Sequence, residues 1–414
     1  MGATERSLSK EEELLVLAAR IGLDGPDGER MTGILQGDVD WPKLMEYSEA
    51  LGVRPLLCRH FSDQERVRLV PEDVMGSLRR EHQVQALRNL RIYGCLRRVL
   101  HLGSQAGIPI ILLKGAFLAE WIYPDIGLRP MSDIDILCRT GDHKVFLEQL
   151  CTAGFESQYS EEDAYNSPIH AKFFSAHGFH LPPVYDHRVS RIEVHSSIFC
   201  SREPAGCERL EELLWAKSLR HDWDGLPFGS LSPAHQVLHL CSHLHHHIES
   251  DSAGLQWLCD IHETIHHYGN AIDWEAFRRT AEELGILSKV KTVLLLLREH
   301  WSTPIPDLPG KCRRPRLADI LRNRYSGGSA GAGRAMLSNY LRSLLIAGQV
   351  SGWRNRLRFV WALVFPSRAN IRYRYHPDNA LTLCFWYAAH PFILAASGIA
   401  GLCHHLASRV GLRS

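Results

Sequence analysis

At 414 residues the chain is too long for one ordinary domain, and its 45% apolar share is enough to fill packed cores. A formal net charge of +1 argues against a strongly basic nucleic-acid coat and against an acidic chaperone. The 11 cysteines include no Cys-x-x-Cys pair and no secretory leader opens the chain, so reduced thiols and a cytoplasmic setting are expected.

Residues 1–107 read as helical. "SKEEELLVLAARIGL" carries a Ser-x-x-Glu pattern, Ser9 and Glu12, ahead of helix-spaced leucines. Asp40 is the expected N-cap of the next segment. "RREHQVQALRNLRIYGCLRRVLHLGSQAG" has the period of a long amphipathic helix ending near Gly107.

The pattern then changes. "IPIILLKG" is a short apolar run ending in glycine and reads as a buried strand, followed by a helix over "AFLAEWIY". "SDIDILC" alternates as a second strand, and "GDHKVFLEQLCTAGF" is a helix closed by Gly154. "KFFSAHGFHLPPVYD" and "SRIEVHSSIF" read as further strands. Helical periodicity returns at Ser232 with "SPAHQVLHLCSHLHHHI", "LQWLCDIHETIHHYG" and "DWEAFRRTAEELGI". Near "YSGGSAGAGRAM" a Gly/Ser-rich linker is expected. The fold class is therefore α+β, with a small mixed sheet between helical N-terminal and C-terminal regions. The expected segments are a helical region at 1–107, a catalytic domain at 108–220, a helical domain completing the cleft at 221–310, and a basic, apolar helical region at 311–414.

"LRPMSDIDIL" places Asp133 and Asp135 in an apolar run. Residues i and i+2 of a strand share a face, with Cα atoms roughly 6.5 Å apart. Two carboxylates so placed repel each other unless a cation lies between them. Oxygen donors of this kind suit Mg²⁺ or Mn²⁺. Glu193, flanked by Ile192 and Val194, is the candidate third carboxylate. It would share the metal and help deprotonate an acceptor. Upstream, Gly115 falls at a strand-to-helix turn, where backbone can approach a phosphate. Lys114 and Arg129 could add positive charge at a leaving pyrophosphate. Lys114 also has a plain reading as a strand-end cation, and Arg129 as a residue that holds the loop to Asp125 or Asp133.

The order "LLKG", "LRPMSDIDIL", "EVH" resembles the nucleotidyltransferase superfamily that includes DNA polymerase beta and the kanamycin nucleotidyltransferases. More narrowly it resembles a bacterial family of uncharacterised nucleotidyltransferases found beside biosynthetic gene clusters. The resemblance covers most of residues 10–280 and is strongest at 108–137. It departs from the superfamily in having Lys114-Gly115 where a Gly-Gly or Gly-Ser turn is usual. Matched by position, Asp133, Asp135 and Glu193 would be the catalytic, metal-binding acids. The implied reaction is in-line attack of an acceptor hydroxyl or phosphate on the α-phosphorus of a nucleoside triphosphate such as ATP, with pyrophosphate leaving and two metal ions about 3.5–4 Å apart. The acceptor would be a small molecule or a peptide natural product. A different activated donor, such as a nucleotide sugar, and a non-catalytic nucleotide-binding accessory role are the competing readings.

His235, His239, His243 and His247 recur every four residues on one helix face. The narrower resemblance implies a polar network of His243, His247 and Asp260 beside the nucleotide or acceptor. Simple packing and a transition-metal site are the alternatives. Residues 311–374 hold thirteen arginines and one acid, Asp319. The uncharged stretch at 381–403 is long enough to span a bilayer but is interrupted by His390-Pro391. Peripheral membrane contact through this C-terminal region is expected alongside its packing as ordinary helices; a nucleic-acid partner is not.

Overall fold

In the computed structural model the Ser9 hydroxyl accepts the Glu12 amide proton at 3.2 Å, and the Glu12 carboxylate accepts the Ser9 amide proton at 2.7 Å. This reciprocal cap starts α1 (Lys10–Ala18). The helices α2 (Gly25–Leu35), α3 (Trp41–Leu51), α4 (Arg54–Phe61) and α5 (Glu72–Gln105) follow. Asp40 caps α3 through the Lys43 amide at 3.1 Å. The structure describes residues 8–23, 25–157, 181, 183–186, 189–195, 197–199, 207–249, 252–312, 314–326, 352–375 and 379–394. The expected Gly/Ser linker after Ser326, and residues 172–180 of the strand expected over 172–186, lie outside the described residues; the end of that strand, 184–186, is described.

The chain forms two compact units, residues 1–156 with 184–325 and residues 157–183 with 326–414. A mixed sheet organises the first. Its strands in chain order are β1 (Ile111–Leu112), β2 (Asp133–Leu137), β3 (Glu156–Ser157), β4 (Val184–Asp186), β5 (Ser190–His195), β6 (Leu219–Trp223) and β7 (Leu226–Ser230). Across the sheet the order is β3-β4-β5-β2-β1-β7-β6. β2 runs parallel to β5 and antiparallel to β1, and β1 runs parallel to β7. Ile111, Leu112, Ile134, Ile136, Ile192 and Val194 are buried in the middle of it. The helices α6 (Lys114–Trp121), α7 (His143–Thr152) and α8 (Cys207–Lys217) connect the strands. α5 packs on β2 and β7, and α6 packs on β2.

The β6–β7 hairpin was not expected. Its turn is Asp224-Gly225, both with positive φ (53° and 82°), the geometry that a two-residue hairpin demands. Because β7 joins β1, residues 219–230 complete the sheet. A boundary at 220/221 therefore falls inside β6 and does not separate the sheet from later helices.

After the hairpin come α9 (Pro233–Glu249), α10 (Leu255–Tyr268), α11 (Trp274–Glu283), α12 (Leu287–Trp301) and α13 (Leu317–Ser326). α9 packs against α10, α11 and α12. The Asp273 side chain caps α11 through the Ala276 amide at 2.9 Å.

In the second unit the described residues form α14 (Trp353–Val364), α15 (Arg368–Tyr375) and a helix over 380–394. His390 is buried among them. Its Nε2–H donates to the Leu363 carbonyl at 3.3 Å, which leaves Nδ1 to accept from the Tyr375 hydroxyl at 2.6 Å. Among the described residues no helix is long and apolar enough to cross a membrane.

Candidate active site

The parallel pairing of β2 and β5 sets Asp135 opposite Glu193 and Asp133 opposite Arg191. Side chains alternate along each strand, so Asp133 and Asp135 share a face with Arg191, Glu193 and His195. Asp135, Glu193 and His195 each bring a ligand atom within 4.8 Å of the others. Asp135 and His195 are almost fully buried, and Glu193 is only slightly open to solvent.

Hydrogen-bond donors surround these acids. Lys114 Nζ lies 2.8 Å from Asp135 Oδ1, and His195 Nε2 lies 2.7 Å from the same oxygen. Burial pushes the Asp135 pKa up, but Lys114 and His195 outweigh it and hold the carboxyl well below the usual carboxylate range. Asp135 is thus ionised, and an ionised carboxylate only accepts, so His195 Nε2 carries the proton in this contact. The Arg191 guanidinium reaches Asp133 Oδ2 and Glu193 Oε1, both at 2.9 Å.

Lys114 is placed by an unusual backbone. It opens α6 with φ of +43°, one of three non-glycine residues with positive φ among those described. That conformation costs a lysine on the order of 1–3 kcal/mol and persists only where the surroundings enforce it. Here it aims the ammonium at Asp135.

Gly115 and Arg129 are brought together in another way than as phosphate ligands. A Cβ on Gly115 would collide with the Arg129 guanidinium. Arg129 is buried and binds Asp260 with two prongs, Nε–Oδ1 at 2.9 Å and Nη2–Oδ2 at 2.8 Å. Tyr123 donates to Asp260 Oδ1 at 2.8 Å, and Asn89 donates to the Arg129 carbonyl at 2.8 Å. Burial works against the guanidinium charge, and Asp260 more than offsets it. The network clamps the loop that leads into β2. Asp260 is therefore joined to Arg129, not to His243 or His247.

The histidine face of α9 borders the acids. His243 Nε2 is 3.2 Å from His247 Nε2, and His247 stacks on Trp257 with ring centroids 4.1 Å apart. His239 Nδ1–H donates to the Ile198 carbonyl at 2.8 Å, so the neutral ring keeps its lone pair on Nε2. That Nε2 is buried with no hydrogen-bond partner among the described residues. Burial first, then the Lys114 charge, lowers the pKa of His239 to about 3. Burial and Lys114 lower that of His243 as well. These rings are neutral and lie near enough to Lys114 to feel its charge.

The expected acids Asp135 and Glu193 converge, and Asp133 is linked to Glu193 through Arg191. His195 was missed, although Glu193-x-His195 repeats the alternation that singled out Asp133-x-Asp135. The two-carboxylate, one-imidazole set fits an oxygen-preferring divalent cation, Mn²⁺ as well as Mg²⁺.

No curated protein and no solved structure matches the chain. The profile of the uncharacterised nucleotidyltransferase family matches residues 37–302, more than half of the chain. That span contains the whole sheet, the Lys114 turn, the acids of β2 and β5 and the histidine face of α9, and on it the chain belongs to the uncharacterised nucleotidyltransferase family.

Proposed function

We propose that the protein transfers a nucleoside monophosphate from a nucleoside triphosphate to a hydroxyl or phosphate of a small-molecule or peptide acceptor, releasing pyrophosphate. The observation that carries this reading is the in-register pairing of Asp135 with Glu193, with Lys114 and Arg191 against them. Asp135 and Glu193 would hold the divalent cation, joined by His195 once its Nε2 gives up the proton that it donates to Asp135. When bound, Mg²⁺ or Mn²⁺ supplies neutralisation of charge on the reacting and leaving phosphoryl oxygens.

The chain's own residues have separate tasks. Lys114 and His195 keep Asp135 ionised, ready to act as a ligand. Glu193 is the carboxylate available to take the acceptor's proton. Lys114 and Arg191 supply positive charge for the triphosphate. Gly115, Arg129 and Asp260 hold the turn and loop that position Lys114 and β2. His239 and His243 line the side of the site on α9, where neutral rings can hydrogen-bond an uncharged part of either substrate.

The test is a transfer assay with each triphosphate labelled on its α-phosphate, using a fractionated small-molecule extract as the source of acceptor. Labelled product and pyrophosphate should form together and should vanish with Asp135→Asn. Pyrophosphate release that is unaffected by this substitution would remove the reading.

A further inference from the structure

In the second unit, α14 has two apolar faces where a packed helix needs one. Phe359, Ala362 and Leu363 are buried. Trp353, Leu357 and Trp361 recur every four residues on the other side, and Trp353 and Trp361 are 66% and 65% exposed. Phe365 extends the stripe, its ring centroid 4.5 Å from that of Trp361. The helix over 380–394 repeats the arrangement. Leu383 and His390 are buried, while Leu381, Phe385 and Phe392 stand 83%, 62% and 75% exposed. Their spacing of four and then seven residues again defines a single helix face.

Exposed apolar stripes of this size mark an interaction surface. The charge around them selects the partner. Residues 352–394 contain six arginines and one acid, Asp378. Arg354, Arg356, Arg358, Arg368 and Arg372 are exposed, with the Arg354 guanidinium over the Trp353 ring at 5.4 Å to the centroid. Tryptophan on an amphipathic helix flanked by arginine is suited to the level of lipid headgroups. The indole and the leucines enter the acyl boundary, and the guanidinium groups meet phosphates. Among the described residues neither helix is long and apolar enough to cross the bilayer, and the contact proposed is with its surface.

We propose that the exposed faces of α14 and of the helix over 380–394 dock the protein on an anionic lipid bilayer. The site in the first unit would then act at a membrane, where acceptors carrying lipid tails or released near the membrane are concentrated.

The test uses the full chain with vesicles of phosphatidylcholine alone, or with about one-third phosphatidylglycerol. Co-flotation with the anionic vesicles is expected, weaker by about tenfold or more on neutral vesicles and at high salt. Trp353→Ser/Leu357→Ser/Trp361→Ser should lower partitioning by about a hundredfold, with an unchanged circular dichroism melt because the stripe is not part of the core. Arg354→Gln/Arg356→Gln/Arg358→Gln should retain weak binding and lose the preference for anionic lipid. Failure of the folded native chain to float with anionic vesicles would overturn the proposal. So would flotation unchanged by the serine variant. A serine variant that turns a dimer into a monomer and leaves lipid binding intact would assign the face to a second copy of the chain instead.

Discussion

Arg129 and Asp260 form a buried, two-pronged ion pair that joins the loop before β2 to α10. Both side chains are almost completely shielded from water. Removing one partner strands the other charge in an apolar site, at a cost of about 3–5 kcal/mol. Asp260→Leu should therefore destabilise the fold strongly, and Arg129→Met/Asp260→Leu should be less destabilised than the sum of the single changes. A double-mutant cycle by urea denaturation measures this. Additive effects would show that the pair is not the clamp described here.

Gly115 is required by that clamp. Gly115→Ala places a methyl against the Arg129 guanidinium, which cannot retreat without weakening its bonds to Asp260. A loss of about 1–3 kcal/mol is expected. In an Arg129→Met background, itself destabilised by the stranded Asp260 charge, Gly115→Ala should cost less than it does in the native protein. A Gly115→Ala protein as stable as the native one would mean that the guanidinium moves freely.

Acid should weaken the fold through buried histidines distant from the acids. His60 is buried and donates from Nε2 to the Arg20 carbonyl at 2.6 Å, and burial lowers its pKa to about 4. His262 lies against Thr303, and burial followed by the charge of His266 lowers its pKa to about 3. The unfolded chain protonates these rings near the ordinary value of about 6.5. Stability is therefore full above that pH and is lost as pH falls through the window from 6.5 toward 4 and 3. For His60 alone the loss is on the order of 3 kcal/mol. Urea midpoints at descending pH should show this slope, and His60→Gln should flatten it. A native midpoint constant from pH 7 to pH 4 would contradict the assignment.

His195 is a positioning residue for Asp135 as well as a candidate ligand. His195→Phe should reduce Mn²⁺ affinity by about tenfold or more, and His195→Asn, which can still donate to Asp135, should lose less. Paramagnetic relaxation of water protons reports the bound metal directly. Equal affinities for native protein and His195→Phe would exclude His195 from the site.

Much of the site could be read in the sequence because strands write a face at every second residue. Asp133, Asp135 and Glu193 declare themselves as isolated charges in β-branched runs. His195 obeys the same alternation but was passed over, since a histidine in an apolar strand end draws no attention without its partner. What Arg129 binds could not be read, because Asp260 lies 131 residues further along the chain. The β6–β7 hairpin escaped because Pro227 and Gly229 interrupt its alternation, although Asp224-Gly225 was a legible turn signal. β1 contributes only two residues, and its pairing with β7 joins segments more than a hundred residues apart, which no local pattern marks.

If Asp135 and Glu193 form a metal-dependent nucleotide site, calorimetric titration with the Mg²⁺ or Mn²⁺ complexes of triphosphates that are non-hydrolysable between the α- and β-phosphorus will show it. Native protein should bind at least one nucleotide only in the presence of the metal. Asp135→Asn/Glu193→Gln, folded to the native circular dichroism spectrum, should not bind it. Metal-dependent binding that survives in the double variant, or no binding of any nucleotide by the native protein, would contradict the claim.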